Sequence, residues 1–253
     1  MRLLCTLCLA LALSVRAQSQ LNAPYSALLN VRPAAGGGGS ACDSVNDASL
    51  VAYWRLDEAS GTREDTKGSN DLTDNNTVTS STGKIGDAAD FEADNSEYLS
   101  IADNSDLSSG DVDFSIWAWV RPETVAGTIV VNKPDEYGLD MYPDGSAWRF
   151  TVNAAYTPVS TGTPVAGTWA FLVGVHDAAA NEIKISVNGA AFVTASAIGP
   201  TDTGSAFLVG SYNGSSLFFD GLVDEVGFTK RKLTQEEVSA LYNSGSACRP
   251  SGL

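Results

Sequence analysis

Three carboxylates, Glu92, Asp94 and Glu97, fall close together in the run FEADNSEYL. Retaining hydrolysis of a glycosidic bond needs two carboxyl groups about 5 to 5.5 Å apart, one as nucleophile and one as general acid. Ala93, Asn95 and Ser96 between them are turn formers, so the acids are expected on a turn with side chains diverging. Asp224 and Glu225 are adjacent, and on a strand neighbouring side chains point to opposite faces. The only histidine, His176, ends the apolar run from Ala170 to Val175 with Asp177 beside it. No Gly-x-Ser-x-Gly elbow supplies it with a nucleophile. No catalytic residue is assigned, and a binding function is expected over an enzyme.

Sugar binding asks for aromatic faces beside amide and carboxylate groups. Two patches offer them: Tyr137, Tyr142, Asp144 and Trp148 in one, Tyr212 and Asn213 in the other. Packing that closes the ends of the fold is the competing use of these rings. Trp54, Trp117, Trp119 and Trp169 lie in strong strand patterns and are expected in the core. Asn75-Asn76-Thr77 and Asn213-Gly214-Ser215 have the spacing of glycosylation acceptors.

These groups need a β scaffold to hold them. From Leu50 onward short apolar alternations are separated by turn clusters such as Asp74-Asn75-Asn76, Pro143-Asp144-Gly145 and Asn188-Gly189, the pattern of an all-β chain. In Ile183-Lys184-Ile185-Ser186-Val187 the apolar residues share one face. Asn188-Gly189 suits a tight hairpin turn, with Ala190 to Ala195 returning antiparallel. One helix is expected near the C-terminus: Thr234 and Glu237 form a capping box, Val238, Leu241 and Tyr242 share a face, and Gly245 stops it.

Phe219 to Tyr242 (FDGLVDEVGFTKRKLTQEEVSALY) therefore reads as turn, strand, basic turn and capped helix. Together with LVAYWRLDEASG, FSIWAWVRP and GTWAFLVGVHDAAANEIKISVNG, it resembles the laminin G-like branch of the concanavalin A-like lectin and glucanase superfamily, over roughly Asp47 to Asn243. The resemblance implies a jelly-roll β-sandwich with one short C-terminal helix, in which first and last strands lie side by side. It also implies glycan binding as the usual activity, and calcium as a common structural ion.

A metal site has its own signal. If Leu222, Asp224, Val226 and Phe228 share one strand face, Asp224 sits among apolar neighbours, where a carboxylate is costly unless paired, hydrogen-bonded or bound to a cation. Asp57 and Glu58 end the first strand, which the resemblance brings near the last. Asp57, Glu58 and Asp224 are thus candidate ligands for calcium, which takes six to eight oxygens. An ion pair from Asp224 to Arg55, or backbone hydrogen bonds, serves equally.

A net charge of −15 over 253 residues repels nucleic acid and anionic membrane surfaces. Residues 1–17 look like a secretory signal peptide, with Arg2 ahead of an apolar run and small residues before Gln18; the run is too short to span a bilayer. Residues 18–41 form a Gly-rich arm or linker around Gly36 to Gly39, and residues 42–253 the domain. Cys5 and Cys8 fall in the leader, which leaves Cys42 and Cys248 of the chain's 4 cysteines to pair in an oxidising compartment. The sequence thus reads as a secreted, non-catalytic module for a glycan or an extracellular protein. Two alternatives stand beside it: a structural subunit of an appendage, matrix or virus particle, assembled as a homo-oligomer through the N-terminal arm, and a degenerate glycoside hydrolase.

Overall fold

The computed structural model describes residues 40–141, 144–153 and 159–253. The expected leader, nearly all of the arm, and Tyr142 lie outside the described residues. Two antiparallel sheets face each other. The larger contains β3 (Thr79–Thr82), β4 (Asp87–Phe91), β6 (Phe114–Pro122), β11 (Ala170–Asp177), β12 (Glu182–Val187), β13 (Val193–Ser196) and β15 (Gly221–Thr229), in the order β13-β12-β11-β6-β15-β4-β3. To it β1 (Leu50–Trp54) adds by pairing with β15, so the first and last strands are neighbours as expected. The smaller sheet has the order β10-β9-β8-β7-β14-β5-β2, made of β2 (Thr73–Asn75), β5 (Tyr98–Ile101), β7 (Ile129–Lys133), β8 (Tyr137–Met141), β9 (Trp148–Val152), β10 (Val159–Thr161) and β14 (Phe207–Val209). The all-β sandwich and its helix are as the sequence implied.

The period of two decides which face of each strand is buried, and it differs between the sheets. On β6, Phe114, Ile116, Ala118 and Val120 enter the core between the sheets, while Trp117 and Trp119 face the other way into a second cluster. On β11, Leu172 points inward and Phe171, Val173 and Val175 join the two tryptophans. Strands buried on both faces carry unbroken apolar runs, as FSIWAWV and AFLVGV do. Their outer face is covered by Val45, Leu233 and the helix α1 (Gln235–Tyr242), which contributes Val238 and Leu241. Tyr242 stacks on Trp119 with centroids 5.7 Å apart. On β8 and β9 of the smaller sheet Tyr137, Leu139, Met141, Trp148, Phe150 and Val152 point inward, which sets Gly138, Asp140, Arg149 and Thr151 on the opposite face.

Local signals fix the ends of elements. Thr234 accepts from the Glu237 amide and the Glu237 side chain accepts from the Thr234 amide, the expected capping box. The helix ends at Asn243 in the left-handed conformation, two residues before the expected Gly245. Asn188 and Gly189 both have positive φ, 54° and 70°, as the tight turn after β12 demands. The return strand starts later than expected, at Val193, which pairs with Ile185. A two-residue turn alone would set Phe192 there, so one extra residue is accommodated between turn and strand.

A β-bulge in β15 overturns one expectation. Asp224 opposes Trp119 and Gly227 opposes Trp117, so the last strand carries one residue more than its partner, and Glu225 has φ 52°. The extra residue resets the alternation. Val223, Val226 and Phe228 therefore enter the core, while Asp224 does not share their face. At the bulge β15 also changes its second neighbour, from β4 alongside Gly221–Val223 to β1 alongside Val226–Thr229. The Cys42–Cys248 disulfide is present and spans 206 residues.

Candidate functional site

At the change of neighbours beside the bulge, Asp224 is wholly buried. Its Oδ2 accepts from the backbone amides of Lys84 (2.7 Å) and Ile85 (3.0 Å), and its Oδ1 has no partner. Burial, then the neighbouring Glu225 charge, push its carboxyl up to about 8. The bulge breaks the regular alternation expected to hold these adjacent acids on opposite faces. Glu225 accepts from the Tyr53 hydroxyl and from Arg249; burial still raises its pKa against both.

The expected calcium ligands do not assemble. Asp57 accepts from Arg249 Nη2 at 3.0 Å and from the Asp87 amide at 3.1 Å. Glu58 accepts from the Glu64 amide at 2.8 Å. Among the described residues no group of three His, Cys, Asp or Glu is placed to hold a metal ion. As placed, the three carboxylates do not form a shell of six to eight oxygens: a guanidinium and backbone N–H groups engage Asp57 and one oxygen each of Glu58 and Asp224, while Glu58 Oε2 and Asp224 Oδ1 have no partner. The cation in this cluster is Arg249; Arg55, the expected partner of Asp224, donates to the Leu253 carbonyl.

The other acidic candidates are structural. Glu92, Asp94 and Glu97 lie at a 3-10 turn over Ala93–Asn95. Glu97 folds back to accept from the Glu92 amide (2.9 Å) and Asn95 Nδ2 (3.0 Å). His176 is buried with Nδ1 2.7 Å from the Val112 carbonyl oxygen.

Of the aromatic candidates, Tyr137 and Trp148 are 3% and 1% exposed, which corrects their assignment as stacking rings. They occupy inward positions of β8 and β9, where Tyr137 packs on Phe114 and Phe228 and donates to the Leu107 carbonyl at 2.7 Å. Trp148 also lines a hollow with Trp169, Val165 and Val187, and none of its described lining residues is charged. Asp144 is exposed and accepts from the Ser146 amide at 3.0 Å within its turn. It follows the C-terminal end of β8, so the strand separates it from Asp135 before the other end. Asn213 is exposed, and its carbonyl oxygen is engaged by Ser215 and Ser216.

Of the candidates outside the core, Tyr212 borders a small polar hollow on the outer face of β7, β8 and β9. The hollow exists because of Gly138. Cross-strand pairing sets Asn132, Gly138 and Thr151 in one row, and the missing side chain leaves a depression between the other two. A Cβ at Gly138 would meet Asn132 Cβ at 3.0 Å and Thr151 Oγ1 at 3.7 Å. In the next row Asp140 opposes Arg149, whose Nε donates to Asp140 Oδ1. Burial pushes the Asp140 carboxyl up to about 6 against that guanidinium. Asn132 is 3% exposed; its Nδ2 donates to the Tyr212 carbonyl at 3.1 Å and its Oδ1 has no partner. The half-buried Tyr212 donates through its hydroxyl to Asp135 at 2.6 Å, a bond that holds its pKa up at about 12. The hollow thus joins a ring, a flat floor, an uncommitted buried acceptor and two carboxylates.

Comparison with known proteins bears on the fold. A profile described as Concanavalin A-like lectin/glucanases superfamily matches residues 93–239, more than half of the chain. No curated protein matches the sequence significantly. Among solved structures, the binding domain of Paraclostridial Mosquitocidal Protein 1 superposes with TM-score 0.64 at 17% identity, over 78% of this chain and 52% of that one. Domain 4 of the Geobacillus stearothermophilus arabinanase AbnA, solved in complex with arabinotriose, gives 0.59 at 20% identity, over 79% and 98%. Trypanosoma rangeli sialidase gives 0.59 at 16%, over 79% of this chain and 33% of the enzyme. The chain thus spans about half of the first of these and a third of the last.

Proposed function

Because the chain belongs to the concanavalin A-like lectin/glucanases superfamily, we propose that it is a non-catalytic glycan-binding module, exported to an oxidising compartment, that takes a sugar into the hollow over Gly138. The observation that carries this reading is the unpartnered, buried Asn132 Oδ1 at a concave site rimmed by Tyr212. A buried acceptor left without a donor costs about 1–3 kcal/mol, and a sugar hydroxyl or amine supplies that donor. Sites for small ligands combine a preformed concavity with a few convergent polar groups, and this hollow has both. The AbnA domain with arabinotriose is consistent with sugar binding by such a sandwich. The disulfide and the leader-like N-terminus support export. The distribution of acids supports binding over hydrolysis: Glu92, Asp94 and Glu97 meet at a turn, and Asp224 is buried at the strand junction.

A glycan array and calorimetry on the full chain test the reading. Tyr212→Ala is expected to weaken sugar binding about tenfold, as loss of a buried aromatic contact worth roughly 1–2 kcal/mol implies. Gly138→Val fills the hollow and is expected to abolish binding while the domain stays folded. Sugar binding that survives Gly138→Val in a folded protein would move the site elsewhere, and release of reducing sugar from a bound glycan would make the protein an enzyme.

A further inference from the structure

Accepting that the hollow over Gly138 binds a sugar, its polar groups select which kind. Asn132 Oδ1 is a buried acceptor with no partner. Asp135 is exposed at the rim and accepts from the Tyr212 hydroxyl, and Asp140 accepts from Arg149. Among the described residues of this face Arg149 is the cation, and it lies beside Asp140. Glu136, which also lines the hollow, holds the buried Lys133 at 2.7 Å together with Asp103 (2.9 Å) and Asp202 (3.2 Å), so that cluster too carries more negative than positive charge. A concave site walled by low-dielectric protein concentrates such a field. Sugars bearing carboxylate or sulfate meet repulsion here, whereas an ammonium gains attraction and brings several N–H donors to acceptors that have room for them.

We propose that the hollow is a subsite for an amino sugar with a free ammonium group, whose N–H donors meet Asn132 Oδ1 and the carboxylates of Asp135 and Asp140. Two independent features point there: the negative field and the buried amide oxygen without a donor. The floor at Gly138 lets the ring lie close to the sheet, and Tyr212 at the rim gives it an apolar face.

The test is calorimetry on the full chain with three oligosaccharides of equal length: glucosamine oligomers, their N-acetylated counterparts, and galacturonate oligomers. The glucosamine oligomers are expected to bind about tenfold more tightly than the acetylated ones, the factor a charge-assisted hydrogen bond supplies. That advantage shrinks as salt is raised, and the galacturonate oligomers do not bind. Asp135→Asn serves as the variant that keeps its fold, because Asn tolerates the φ of 62° found there and retains an acceptor for Tyr212. It is expected to lower affinity for the glucosamine oligomers several-fold and to leave the acetylated ones unchanged. Gly138→Val separates the hollow from the acidic surface at large: glucosamine binding that survives it, in protein with native melting, overturns the proposal. Equal affinity for the acetylated oligomers, or tighter binding of galacturonate, overturns it too while leaving a sugar site in place. If none of the three binds and the glycan array is also blank, glycan binding itself falls.

Discussion

Asp224 shows how one side chain joins local geometry to pH. A carboxylate on the last strand reads from sequence as a group that needs a partner, and its partners prove to be two backbone amides, Lys84 and Ile85. Neither was legible, because the bulge at Glu225 turns Asp224 toward the β3–β4 turn. Its folded pKa, about 8, stands well above the ordinary 3.8. Between those values the folded state holds a proton that the unfolded chain has lost. This group therefore contributes stability at low pH, and that contribution is lost as pH rises from about 4 toward 8. Asp224→Asn mimics the protonated form, so its melting temperature is expected to fall less than that of wild type between pH 5 and pH 8.5; parallel curves would mean that Asp224 is ionised throughout. Asp224→Ala leaves two amides without their acceptor and is expected to cost about 2–5 kcal/mol by chemical denaturation. Arg249 supplies the positive charge beside Glu225 and Asp57. Melting in chelator and in millimolar calcium is accordingly expected to coincide, and divergent curves would reinstate a cation at these acids.

At the scale of elements, the sequence was legible wherever one local rule had no competitor. The capping box of α1 and the Asn188-Gly189 turn are set by neighbours a few residues apart, and both form. The alternations Tyr137-Gly-Leu-Asp-Met141 and Trp148-Arg-Phe-Thr-Val152 were equally clear. Followed strictly, they put Tyr137 and Trp148 in the core and Gly138, Asp140, Arg149 and Thr151 on the other face, where the hollow lies. Short polar strands such as β3, whose residues are Thr79, Ser80, Ser81 and Thr82, carry no periodic apolar signal and exist through pairing with β4. The helix gives a test of how local rules combine with packing. Thr234→Ala removes the cap and is expected to cost about 1 kcal/mol. Gly189→Ala acts on the same helix from outside: φ there is 70°, and the new Cβ would stand 2.8 Å from the Tyr242 ring. Left-handed strain alone costs about 1–2 kcal/mol, so with the displaced ring Gly189→Ala is expected to destabilise more than Thr234→Ala. The reverse order in urea melts would mean that Tyr242 moves aside freely.

For the whole molecule, the two sheets divide the work. The central strands β6, β11 and β15 of the larger are buried on both faces, and its outer side is where the two ends of the domain are fastened. Cys248 is bonded to Cys42, Arg249 joins Glu225 to Asp57, and the Ser251 amide donates to Asp43 at 2.7 Å. The smaller sheet carries the hollow over Gly138 on the face turned away from the core. Stability and binding are therefore expected to separate under mutation. A disulfide closing a loop of 206 residues limits the unfolded chain by about 5 kcal/mol in the chain-entropy account, an upper bound because residual unfolded structure reduces it. At about 2–4 °C per kcal/mol for a domain of this size, the Cys42→Ala, Cys248→Ala double variant is expected to melt on the order of 10 °C lower. Its affinity for sugar at 25 °C should match wild type, since no strand of the hollow carries a fastening residue. A double variant that melts lower and also binds more weakly would mean that the closure of the domain's ends reaches the smaller sheet through the core. That result would replace the picture of two independent faces with one of a single coupled unit.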